Sequence, residues 1–219
     1  MTHVKRLGMA AAMAVTMGLS FNPLTANAKI NIPRQIYADY VKQPESVKKS
    51  FEEDGWDLEL ADGNELNYIY AQEEYSENGY DISGVTVYEI KTVYLSDFPG
   101  YAKAALSHEL GHFVDYSYYT YYGILPSATE EFEYIYEKEA VRSHLYKDYG
   151  LSDTSEYFAQ SYWAYIENKD DLKTYYPLTF KYIDNVLCDF DAAVGNGYTR
   201  KYDGSIYMLE GKVVPYSGR

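Results

Sequence analysis

The sequence predicts an α+β fold: a small mixed sheet in the N-terminal half of one domain, followed by a mainly helical C-terminal half. Three observations carry that prediction. Residues 56–60, 66–71 and 85–95 are alternating, β-branched or aromatic, as strands are. From residue 99 onward apolar side chains recur at helical spacing. Gly, Pro, Asn and Asp punctuate the chain between these runs and leave only short connections.

Taken in order, residues 1–28 read as a secretory signal peptide and not as part of the fold. Lys5 and Arg6 precede an apolar stretch from Leu7 to Phe21, and Ala26-Asn27-Ala28 is an A-x-A cleavage site. Asn22-Pro23 ends the apolar run too soon for a bilayer span. A secreted, extracellular product is expected, with residues 29–219 forming one domain large enough for a sizeable core. Residues 33–43 and 45–53 have helical character and are split by Pro44; Gly55 ends them. Residues 56–60 then alternate like a strand. Asp62-Gly63-Asn64 is a turn signal before a second strand at 66–71, and residues 73–81 are polar and loop-like. Residues 85–95 read as strand, most clearly at 91–95. Ser96-Asp97-Phe98-Pro99 is the expected cap of a long helix. Residues 129–147, 153–166 and 171–194 carry further helices, with Tyr149-Gly150 and Gly195-Asn196-Gly197 as breaks, and 205–214 reads as a short hairpin.

Composition narrows the function classes. The chain carries 19 basic and 33 acidic residues. Loss of Lys5 and Arg6 with the signal leaves 17 against 33, a balance of −16. That charge argues against nucleic acid and anionic membranes as partners. Cys188 is the single cysteine, so no internal disulfide can form, and its apolar neighbours suggest a buried, inert thiol. Tyrosine is over-represented, at 28 residues. Its densest run, residues 116–122, suits either the grip of an extended peptide or a core with wet edges. Nothing suggests a second domain, and a monomer is expected.

His108-Glu109-Leu110-Gly111-His112 is an H-E-x-x-H motif. On a helix, positions i and i+4 share a face, so both imidazoles can reach one ion, and Glu109 can act as general base on water. The neighbours Ala104, Ala105, Leu106, Leu110, Phe113 and Val114 make a mostly buried helix, where histidines need partners. The expected chemistry is peptide hydrolysis assisted by a single Zn2+ ion. A catalytic zinc takes three protein ligands. A histidine six residues after His112 would complete one common arrangement, but that position is Tyr118. The third ligand is therefore sought among Glu130, Glu131 and Glu133, or at Glu156. Glu156 opens a helix that is apolar at Phe158, Ala159, Tyr162, Trp163 and Ile166, where a lone carboxylate is costly unless bound. It also stands three residues after Asp153, the spacing of a capping box. His144 has no assignable role.

The segment His-Glu-Leu-Gly-His-Phe-Val-Asp at 108–115, followed by Glu-Tyr-Phe-Ala-Gln-Ser-Tyr at 156–162, resembles the anthrax lethal factor-like zinc metallopeptidases, close to the secreted clostridial Pro-Pro endopeptidases. The resemblance covers roughly residues 91–165 and implies a zincin-like domain of gluzincin type, with an edge strand beside the zinc helix. It implies Glu156 as the third ligand. It also implies Tyr149, seven residues before that glutamate, as donor to the developing oxyanion, and Asp115 as the outer partner of a ligating imidazole. The family often has a second glutamate four residues after the ligand; here Gln160 stands there. The implied substrate is an extended protein or peptide segment, with Pro-Pro bonds as first candidates, paired to the strand at 91–95. Two other readings stay open. One is a host-directed toxin protease with a single target; the other is a non-catalytic secreted module with structural zinc.

Overall fold

A computed structural model describes residues 29–71, 83–140, 151–201, 206–209 and 212–215. The chain begins with two short helices, α1 (Arg34–Tyr40) and α2 (Glu45–Glu53), each preceded by a proline, Pro33 and Pro44. Proline has no N–H to leave unsatisfied, and an extended proline just ahead of the first turn sets each entry direction. Strand β1 (Asp57–Ala61) follows, then α3 (Gly63–Ala71).

Residues 66–71 are thus helix, not strand. Asp62 decides this: its Oδ1 accepts from the Asn64 and Glu65 N–H groups, both at 2.9 Å, and so caps a helix where a turn between strands was expected. The stretch 85–95 is also resolved differently, as two strands, β2 (Gly84–Val87) and β3 (Thr92–Ser96), joined by a tight turn. Lys91 takes the left-handed conformation there, with φ 51°.

The sheet order is β1-β3-β2, with β3 parallel to β1 and antiparallel to β2. The strand expected to receive a substrate, at 91–95, is therefore the central one. Both its edges are taken, and Thr92, Val93, Leu95 and Ser96 are buried. The outer side of β1 is partly occupied by residues 29–31, which bond to Leu58. Among the described residues, the open edge is that of β2.

Helix α4 (Pro99–Tyr122) carries the motif. It starts on Pro99 with Phe98 as N-cap and no side-chain cap; Ser96 Oγ instead accepts from the Phe98 N–H at 3.1 Å. It ends at Gly123, whose φ of 72° closes the last turn at no steric cost. A 3₁₀ turn (Pro126–Ala128) leads to α5 (Glu130–Glu139), capped by the Thr129 side chain, and α6 (Thr154–Glu167) is capped by Asp153. Helices α7 (Lys169–Tyr175) and α8 (Pro177–Gly195) follow, and the hairpin β4 (Ile206–Leu209) and β5 (Lys212–Pro215) comes last.

Helix α4 lies between two aromatic clusters. On the sheet side, the Phe113 ring centroid is 5.0 Å from that of Phe51 and 5.2 Å from that of Trp56, both edge-on. On the other side Phe132, Tyr157, Phe158 and Tyr182 pack where α5, α6 and α8 meet. The tyrosine run falls on the far half of α4. Tyr116, Tyr119 and Tyr121 are buried, while Tyr118 and Tyr122 donate to the Asp189 carboxylate and main-chain carbonyl of α8. These tyrosines fasten helix to helix. Arg200 locks the same end: it bonds to Ser50 Oγ and Ser117 Oγ, pairs with Asp54 and lies over the Tyr121 ring. Cys188 is exposed on α8, against the buried thiol expected, because the inner face there is taken by Val186, Leu187 and Phe190 and position 188 falls outside it. No described helix is long and apolar enough to cross a membrane.

Phe113 sits at the centre of the first cluster with no exposed surface. Phe113→Ala is expected to lower unfolding free energy by about 3–5 kcal/mol in urea titrations, with the slope unchanged.

Candidate metal centre

His108, Glu109 and His112 lie in the middle of α4, where helical geometry sets both imidazoles on one face. The ring centroids are 4.9 Å apart. Facing them is the first turn of α6. Asp153 Oδ1 accepts from the Ser155 and Glu156 N–H groups, each at 2.9 Å, which fixes that turn and aims Glu156 inward. The capping-box spacing therefore supplies only its first half; the glutamate side chain is used elsewhere. Glu156 Oε2 is 3.1 Å from His108 Nε2 and Oε1 is 3.6 Å from His112 Nε2.

What lets the helices come this close is Gly111. A Cβ there would stand 2.7 Å from Ala159 Cα and 2.9 Å from Ala159 O. Both are backbone atoms that cannot step aside, so the position admits glycine on grounds of space. This role was not read from the motif, in which Gly111 and Leu110 are the unspecified positions. The clue was Ala159 on α6, a small residue in an otherwise bulky apolar face.

The three residues offer ligand atoms all within 4.8 Å of one another, the one such group among the described residues. A tetrahedral ion with ligands at about 2.0–2.2 Å requires about 3.3–3.6 Å between ligand atoms. The two histidine-to-glutamate distances, 3.1 and 3.6 Å, are close to that, and two imidazoles with one carboxylate are a fitting donor set. Their side chains keep 11%, 12% and 17% exposure, so the group is not sealed from solvent.

Electrostatics point the same way. Burial alone would push the Glu156 carboxyl up, but the two imidazoles outweigh it and hold the group far below the usual carboxylate range. Burial likewise opposes charge on His112, yet Glu156, Glu109 and Asp115 together raise it to about 9. The pocket is built to hold positive charge.

The surrounding residues divide clearly. Gln160 Oε1 is 3.2 Å from His108 Nδ1, so the amide accepts the outer ring proton and turns Nε2 toward Glu156. Asp115 accepts from Ser127 N–H at 2.8 Å and Ser127 Oγ at 2.6 Å. It fastens the loop after α4, and burial pushes its carboxyl up to about 6. Its charge still acts on His112. Glu109 is buried, its carboxyl raised by desolvation, and Thr86 Oγ1 donates to its Oε2 at 2.8 Å. Glu130, Glu131 and Glu133 are exposed on the first turn of α5, outside the group. Tyr149 and His144 lie outside the described residues.

A zincin-like α+β domain that brings two histidines of its central helix and a glutamate of α6 into such a group has the architecture of a metallopeptidase domain. The chain belongs to the anthrax toxin lethal factor family: the family model described as Anthrax toxin lethal factor, N- and C-terminal domain, matches residues 45–186. Among solved structures, the Pro-Pro endopeptidase from Paenibacillus alvei is similar, with a TM-score of 0.53 and 23% identity over 73% of this chain and 97% of that one. No curated protein matches the sequence.

Two variants probe the centre. Glu156→Ala should leave the purified protein with well below one equivalent of metal by elemental analysis; full occupancy would assign the third ligand elsewhere. Gly111→Ala should lower both the melting temperature and the metal content, since its Cβ forces α4 and α6 apart.

Proposed function

We propose that the protein is a secreted zinc-dependent endopeptidase acting on extended protein segments. One observation carries the reading: a buried carboxylate, Glu109, adjoins a group of three candidate ligands that keeps some exposure to solvent. A closed structural site would use a fourth protein ligand instead.

Zinc bound by His108, His112 and Glu156 would supply Lewis acidity to the scissile carbonyl and acidify an adjacent water. The chain's own groups do the rest. Glu109 accepts the proton of the attacking water and delivers it to the leaving amine. Its desolvated carboxyl, with an affinity for protons above that of an exposed glutamate, suits both tasks. Gln160 holds the His108 tautomer that presents Nε2 inward. By family likeness, the Tyr149 hydroxyl donates to the oxyanion as it develops, and the charge of Asp115 supports His112.

The substrate would pair with β2, the open edge beside α4, by β-strand addition. The leader at residues 1–28 supports export. The endopeptidase likeness makes proline-containing segments, and Pro-Pro bonds first, the sequences to test. A protease aimed at one host protein would use the same site and differ only in target.

Incubation of the zinc-loaded protein with a mixed peptide library, read by mass spectrometry, should yield discrete cleavage products. Glu109→Gln should abolish them while metal stays bound; retained cleavage would rule out Glu109 as the base. Tyr149→Phe should lower kcat more than it changes KM.

A further inference from the structure

One face of β2 lies directly on the motif helix. Strand alternation puts Gly84 and Thr86 on that face, with Tyr88 next in register. Each meets α4 at a different level. A Cβ at Gly84 would fall 2.8 Å from Glu109 Cγ, 3.0 Å from Glu109 Oε1 and 3.1 Å from Ala105 Cβ. Thr86 Oγ1 donates to Glu109 Oε2 at 2.8 Å and lies 3.2 Å from the Glu109 main-chain carbonyl. The Tyr88 ring packs on Tyr116 at 5.1 Å and edge-on to Trp56 at 6.2 Å.

We infer that Thr86 and Gly84 are positioning residues for Glu109, so that the strand offered to the substrate also aims the general base. The inference rests on Glu109 being that base. Glutamate has three rotatable side-chain bonds, and on a helix its carboxylate would otherwise sample several directions. Here Oε2 is tied to a hydroxyl on a rigid β-branched side chain, and Cγ and Oε1 lie against a residue with no side chain. Thr86 can do this in either state of the base. Toward the carboxylate it donates to Oε2. Once Glu109 holds the proton taken from water on its other oxygen, Oε1, the Thr86 hydroxyl still donates to Oε2 and leaves that proton free to pass to the leaving amine.

Neither residue touches the ligand atoms of the metal group, so their effect should be separable from metal binding. Thr86→Val keeps the β-branched shape and removes the hydroxyl. Gly84→Ala keeps the hydroxyl and pushes on the flexible Glu109 side chain rather than on backbone, so the fold should tolerate it. The probe is a fluorogenic peptide carrying whichever bond the native chain cleaves in the mixed library. With zinc content unchanged, Thr86→Val should lose kcat by roughly ten- to a hundred-fold, the worth of a hydrogen bond to a charged group, and Gly84→Ala should also lose kcat by displacing the Glu109 carboxylate. KM should stay within about two-fold. Thr86→Ser should recover most of the kcat, which a loss of strand packing could not explain. Unchanged kcat in Thr86→Val and Gly84→Ala, with Glu109→Gln inactive, would overturn this inference and leave the proposed function intact. Cleavage by Glu109→Gln would overturn both.

Discussion

The backbone-to-backbone approach of α4 and α6 at Gly111 and Ala159 is the constraint on which the centre depends. One Cβ at position 111 would meet main-chain atoms under 3 Å away. The glutamate and the two imidazoles come from separate helices, so their spacing is set by the gap between those helices. Side chains can absorb small errors at most surfaces. Across this gap they cannot, because nothing flexible lies between. The large aromatic clusters on both sides of α4 then act as shims: Phe51, Trp56 and Phe113 on one side, Phe132, Phe158 and Tyr182 on the other. They fix where α4 sits while Gly111 fixes how near α6 can come.

Charge is arranged with the same economy. A group of acidic side chains in an apolar interior would repel itself and unfold the site unless each had a counterpart. Glu156 has the imidazoles, Asp115 has Ser127, and Glu109 has Thr86. The remaining field acts on His112, which is why it retains protons so strongly. A cation entering this pocket would displace the proton from His112 and then meet the charges of Glu156, Glu109 and Asp115 already in place.

Much of this could be read from the chain. H-E-x-x-H, the glutamate at 156 and the helices around them follow from local periodicity and from the cost of burying a lone carboxylate. What escaped depended on contacts between distant residues. Residues 66–71 have strand-like composition, but Asp62 supplied two capping bonds that the neighbouring turn signal concealed. The run at 85–95 looked continuous since nothing in it is a strong turn former; Lys91 makes the turn in a conformation that lysine rarely adopts. The identity of the edge strand followed from that turn and could not be known without it. Cys188 was expected to be buried and is exposed, and the tyrosine run could be read two ways, because helical position decides which way each side chain faces and an error of one residue turns it by about 100°.

The short β2 edge has a further consequence. Four residues of strand span about 13 Å. An open edge of that length is a weak template for other copies of the chain, so it carries little of the aggregation hazard of a long exposed strand. As the proposed substrate strand it would also be a short ruler. A peptide laid along it can be measured over only a few residues, and any finer discrimination must come from side-chain pockets at either end. Selectivity in such a molecule would be concentrated near the bond cut, and distant parts of the target would go unread.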